Sequence, residues 1–136
     1  MLEQKIAAAK ILLEKIANDY APAVFANSLG AEDMVITDLI AKFNVDITLF
    51  SLDTGRLPAD TYTLMQETGK KYPTHPIKVY FPSTEETEQF VANNGINAFY
   101  DSVELRKECC AIRKIRPLKR ALADKKAWIT GLRREQ

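Results

Sequence analysis

Short apolar runs alternate along this chain with longer stretches in which apolar residues recur three and four positions apart. Few sequence features constrain a fold more. Strands separated by amphipathic helices pair as parallel neighbours through right-handed crossovers. Leu2, Ile6, Ala9, Leu13 and Ile16 predict a helix over 2–18. Residues 22–28 read as a buried strand and Leu29-Gly30-Ala31 as a turn. Glu32 and Asp33 then open a helix carrying Val35, Ile36, Leu39, Ile40 and Phe43, where acidic side chains suit the positive end of the helix dipole. Residues 46–52 read as a second strand and Asp53-Thr54-Gly55-Arg56 as a loop, with Pro58 near the start of a helix that runs to about Lys71. Residues 77–81 form a third strand, and Ser83 with Glu86 predicts a capping box for the next helix, which Asn93-Asn94-Gly95 ends. A helical region reaches about Ala123, with Pro117 marking a start or a kink, and 128–130 make a fourth strand. The expected order, α-β-α-β-α-β-α-α-β, is that of an α/β protein with a three-layer, mostly parallel sheet, in one domain over residues 1–136.

Such sheets bind ligands at the carboxyl ends of their strands, at the point where strand order reverses. The turns after strands one, two and four are 28–33, 53–56 and 131–134, and all three are expected on one rim. Charge is close to balance, 19 basic against 18 acidic side chains, which excludes a generally polycationic nucleic-acid binder. The balance hides an asymmetry. Residues 1–103 carry 8 basic and 14 acidic groups, net −6, and residues 104–136 carry 11 and 4, net +7. The basic segment is either a solvated helix face or an anion site. No run approaches the 18 apolar residues of a membrane span. The N-terminus shows no secretory cleavage motif, so a cytoplasmic protein is expected.

Three segments carry possible chemistry. The first turn joins Ser28 and Gly30 to a helix N-terminus, where free N–H groups favour phosphate; a plain strand-to-helix turn is the alternative. In the second turn Gly55 permits close backbone approach, and Thr54 and Arg56 can meet anions; the alternative is a capped loop in which Arg56 pairs with a local carboxylate. Cys109 and Cys110 are the two cysteines, and they are adjacent. A disulfide between neighbours closes a strained ring and staples nothing. With His75 the single histidine, a four-ligand soft-metal site cannot be completed from thiols and imidazole in this chain. Lys107, Arg113, Lys114 and Arg116 surround the pair and favour thiolate, a metal ligand or nucleophile. The alternative is two buried small hydrophobes, made awkward by a helix so rich in Arg and Lys.

Taken in order, Ser28-Leu-Gly-Ala-Glu-Asp33, Leu52-Asp-Thr-Gly-Arg-Leu57, Cys109-Cys-Ala-Ile-Arg-Lys114 with Pro117-Leu118, and Trp128-Ile-Thr-Gly-Leu-Arg-Arg-Glu-Gln136 resemble the assimilatory sulfonucleotide reductases. The likeness is nearer to the cluster-bearing adenylyl-sulfate reductases than to the cluster-free phosphoadenylyl-sulfate reductases. The resemblance implies an adenine nucleotide α-hydrolase-like fold related to the PP-loop pyrophosphatases. It implies that Ser28, Gly30 and Asp33 belong to a phosphate cradle, and that Leu52, Asp53, Thr54, Gly55 and Arg56 approach the nucleotide. Gly131, Arg133 and Arg134 would lie beside the nucleotide, and Lys114 between a cluster and the substrate's anionic groups. Cys109 and Cys110 would be two of four ligands to a 4Fe-4S cluster. Two departures stand out: Met34 follows Asp33 where the pyrophosphatases have serine, and Asn27 and Leu29 hold positions often occupied by serine.

The resemblance also implies that the chain is the N-terminal nucleotide-binding portion of a longer enzyme, truncated at its C-terminus. The parent enzyme would reduce adenylyl sulfate to sulfite and AMP with thioredoxin, in sulfate assimilation and cysteine biosynthesis. This chain would lack the nucleophilic cysteine and turnover. Alternatives are a phosphoadenylyl-sulfate reductase, a PP-loop adenylating enzyme and a non-catalytic adenine-nucleotide-binding module. No nucleic-acid or membrane partner is expected, and homo-oligomerisation through a sheet edge stays open.

Overall fold

A computed structural model of the chain describes residues 1–133. Helix α1 (Leu2–Asp19) precedes β1 (Ala23–Ala26), α2 (Ala31–Lys42), β2 (Thr48–Leu52), α3 (Ala59–Lys71), β3 (Ile77–Tyr80) and α4 (Thr84–Asn94). A 3-10 turn (Ala98–Tyr100), α5 (Val103–Cys110), a π turn (Ala111–Ile115), α6 (Arg116–Leu122) and β4 (Ala127–Ile129) follow. The four strands lie in the order β3-β2-β1-β4. β1 runs parallel to β2, with Ala26 opposite Phe50, and parallel to β4, with Phe25 opposite Ile129. The fold is α/β, a parallel sheet flanked by helices. Strand order reverses between β1 and β4, so the switch point lies at the carboxyl ends of those two strands.

The chain divides into two compact units. The first comprises 1–51, 58–78 and the described residues from 124 onward; the second comprises 52–57 and 79–123. In the first, Leu13, Ala23, Phe25, Ile40, Val45, Ile47 and Leu49 form the core, with Ile36, Leu39, Ile77 and Ile129 packed against it. Phe25 and Ile40 are fully buried; each such side chain contributes about 1.5–3 kcal/mol relative to exposure. The uniform apolar character of β1 follows, because a strand covered on both faces gains nothing from alternation. The second unit has its own core of Phe90, Ala98, Cys109 and Ile112, joined by Phe99 and Leu105.

Several boundaries differ from expectation for local reasons. β1 stops at Ala26 because Asn27, though bonded to Phe50 O through its N–H, turns its side chain to the loop that follows. β2 begins at Thr48 because Ile47 N–H closes a tight turn on Val45 O. Ser83 caps α4, its Oγ accepting from Glu86 N–H; the Glu86 carboxylate meets Arg116 Nη1 at 2.7 Å, so the reciprocal arm of the expected box is engaged elsewhere. Ser102 caps α5 through Leu105 N–H. Pro117 falls in the first turn of α6, directly after the π turn. Having no N–H to give Arg113 O, and a ring that crowds that carbonyl, it explains why the helix widens there instead of continuing as α.

Candidate functional site

The turn after β1 is built around two carboxyl and amide groups. Asp33, in the first turn of α2, is buried, and its Oδ2 accepts from both the N–H and the Oγ of Ser28, each at 2.6 Å. The buried Asn27 side chain accepts from Leu29 N–H at 2.6 Å and donates to Thr37 Oγ1 at 2.7 Å; that hydroxyl donates to Asp33 O. These bonds hold Leu29 at φ 67, a left-handed conformation that costs a branched residue free energy unless its surroundings impose it. Gly30 then sits at the N-cap of α2 with extended backbone and no side-chain cap, leaving the first-turn N–H groups to whatever approaches.

The turn after β4 closes on the same place. A Cβ on Gly131 would overlap Asp33 Oδ1 and stand 3.1 Å from its Cγ. Arg133 Nε meets Glu32 Oε1 at 3.0 Å. Residues 28–33 and 131–133 therefore meet at the β1/β4 switch point, as expected of two of the three turns. Arg134 lies outside the described residues. Asp33 closes the turn on itself. Its carboxylate faces the loop's own donors, and the Ser28 hydroxyl proton is committed to it.

The turn after β2 belongs to the second unit. Asp53 is buried; its N–H bonds Tyr80 O, and its Oδ1 accepts from Gly55 N–H at 2.7 Å, an Asx turn. Leu52 is half-buried at the end of β2. Thr54 Oγ1 accepts from Arg56 N–H. Gly55 has φ 82, where glycine pays no steric penalty. Arg56 lies 4.5 Å from the centroid of the Phe99 ring and donates to Ile96 O and to Asn97 Oδ1. Its partners are neutral oxygens and a ring face, not the local carboxylate of the alternative reading, so its charge is held but not cancelled.

The two thiols part company. Cys109 is buried against Phe90, Ala98 and Ile112, while Cys110 is exposed. The expectation that a cationic helix resists burying cysteine holds for one of them. Lys114, in the π turn, is exposed. Among the described residues no group of three or more His, Cys, Asp or Glu side chains could hold a metal. One buried and one exposed thiol on adjacent positions do not complete a cluster site. Arg113, read in the sequence as one of the cations around the thiols, is buried and instead donates to Thr54 O at 2.7 Å. Its signal was faint: an arginine beside a proline-induced irregularity. A cavity of about 440 Å³ lies elsewhere, lined by Val45, Asp46, Ile47, Thr74, His75 and Pro76 among others, and includes none of the predicted residues. Among the described residues no helix is long and apolar enough to cross a membrane.

Comparison with known proteins agrees with the motifs. Residues 22–136 match the family model described as the phosphoadenosine phosphosulfate reductase domain. The chain is 50% identical over 135 residues to the adenosine 5'-phosphosulfate reductase of Neisseria meningitidis serogroup B, covering 99% of this chain and 55% of that protein. It is 46% identical over 135 residues to the protein of the same name from Allochromatium vinosum, covering 52% of it. With the Sinorhizobium fredii (strain USDA 257) protein of that name it shares 49% over 114 residues, which is 84% of this chain and 45% of the relative. The chain thus spans about half the length of the curated relatives it matches.

Proposed function

Since this chain belongs to the phosphoadenosine phosphosulfate reductase domain family, we propose that it is the nucleotide-binding part of a reductase. That enzyme converts adenylyl sulfate to sulfite and AMP at the expense of the thioredoxin dithiol, in the cytoplasm. The observation that carries this reading is the closure of Gly131 onto Asp33 at the switch point, beside the uncapped first turn of α2. Backbone N–H groups there suit a phosphate or sulfate oxygen, and the helix dipole adds to their pull. Ser28, Gly30, Asp33, Gly131, Arg133 and Arg134 form or support the anion cradle in this reading. Leu52, Asp53, Thr54, Gly55 and Arg56 meet the rest of the nucleotide, and Lys114 supplies a further cation.

Adenylyl sulfate is preferred to its 3′-phosphorylated form because the relatives carry the unphosphorylated substrate in their names. Cys109 and Cys110 serve in this reading as two of four ligands of a 4Fe-4S cluster. Neither thiol is assigned as the nucleophile that attacks the substrate's sulfur. Calorimetric titration with AMP, adenylyl sulfate and phosphoadenylyl sulfate tests the proposal. Binding of AMP, with adenylyl sulfate the stronger competitor of the two sulfonucleotides, is the expected result. A chain that binds none of the three contradicts it, and hydrolysis of ATP to AMP and pyrophosphate would favour an adenylating enzyme instead.

A further inference from the structure

A buried arginine ties the thiol-bearing helix to the loop that follows β2. Arg113 lies in the π turn, four positions beyond Cys109, and is 9% exposed. Taking a guanidinium out of water is unfavourable unless strong acceptors meet it. Its Nη1 donates to the carbonyl of Thr54 at 2.7 Å, across 59 positions of sequence. The same nitrogen stands 3.0 Å from where a Cβ of residue 55 would be, so the glycine that the loop's φ of 82 favours also leaves room for the guanidinium. Asp53 fixes the Gly55 N–H from within the loop, and Arg56 anchors the loop's end to the 3-10 turn. Thr54 O is therefore the point at which a side chain from α5 and its π extension sets the loop's conformation.

We propose that Arg113 is a positioning residue for nucleotide recognition, holding Thr54–Gly55 in the shape that meets the adenylate. Nucleotide affinity then depends on how the helix carrying Cys109 and Cys110 is seated. The inference rests on the nucleotide reading above.

Calorimetric titration of the 136-residue chain with AMP, paired with amide exchange across 52–57, tests it. Arg113→Met keeps the aliphatic stem and removes the donor; it weakens AMP by about ten-fold or more, the scale of a lost charge-assisted hydrogen bond. Arg113→Lys restores most of that affinity. Exchange in 52–57 quickens in the Met variant and stays slow in the Lys variant, while 23–26 and 48–51 are unchanged in both. Gly55→Ala weakens AMP comparably without altering Arg113, and decides the matter should the Met variant fail to fold. Equal AMP affinity in wild type and Arg113→Met, or a Lys variant as weak as the Met variant, overturns the positioning role and leaves the nucleotide reading standing. A folded Gly55→Ala chain with wild-type affinity does the same. Failure of the wild-type chain to bind AMP overturns the nucleotide reading and this inference with it.

Discussion

The Cα of Gly131 faces the Asp33 carboxylate so closely that a methyl group there would occupy the space of Oδ1. A carboxylate with free torsions could swing aside. This one cannot do so without loss, because Oδ2 is held by the N–H and the hydroxyl of Ser28. Gly131→Ala is therefore expected to destabilise the chain by about 1–3 kcal/mol, the usual range for overpacking, and to weaken AMP. Thermal unfolding and titration of the one variant check both. Asn27 makes the complementary case. Its buried amide satisfies the half-buried Leu29 N–H and the buried Thr37 Oγ1, so Asn27→Leu removes an acceptor from the one and a donor from the other. A loss of about 1–3 kcal/mol in chemical denaturation is expected, the cost of leaving a buried polar group unmet. Such roles are hard to see in sequence. Ser28, Gly30 and Asp33 were legible as a motif, but the direction of the Asp33 carboxylate, toward its own loop, is a tertiary fact.

At the scale of elements, helix and strand identities were readable because they depend on local period and turn residues. Pro58 at the N-cap of α3, Ser83 at that of α4 and Gly95 just past α4 are each local signals that act locally. The π turn was not readable. Pro117 announced an irregularity, but whether a helix kinks, restarts or widens depends on what its flanking side chains must reach. Here they are the buried Cys109, Ile112 and Arg113. The tie between α2 and α3 was equally hidden: Tyr72 Oη donates to Asp38 Oδ1 at 2.9 Å across 34 positions. Desolvation, with the hydrogen bond and the charge of Asp38, raises the Tyr72 phenol above its usual value of 10.0. A raised phenol favours the folded state while it stays protonated. The contribution is whole below pH 10 and is lost as pH climbs through the higher folded value. Tyr72→Phe should lower the melting temperature by up to about 3 °C near neutrality. The gap between variant and wild type should hold steady to about pH 10 and close above it, as parallel melts across that range will show.

At the scale of the whole chain, binding and turnover come apart. That turns at the carboxyl ends of the strands share a rim could be anticipated from the parallel alternation, whereas the reversal between β1 and β4 could not, because crossover handedness leaves strand order open. The fate of the cysteines could not, because two adjacent thiols give no hint of which one the core will take. The chain has these two cysteines alone, with Cys109 packed in an apolar cluster and Cys110 exposed. A reductive step on adenylyl sulfate needs a thiol that attacks sulfur, expels AMP and is then cleared by a dithiol. Cluster assembly needs two more ligands than the pair supplies. The 136-residue chain, given adenylyl sulfate, thioredoxin and a reductant, is accordingly expected to bind nucleotide and release no sulfite above the protein-free control. Incubated with iron and sulfide under anaerobic conditions, it should retain far less than one cluster per chain after desalting, measured as iron and acid-labile sulfide. Sulfite release would make Cys110 the attacking thiol, since Cys109 is shielded by Phe90, Ala98 and Ile112, and Cys110→Ser would then abolish it while leaving AMP affinity intact.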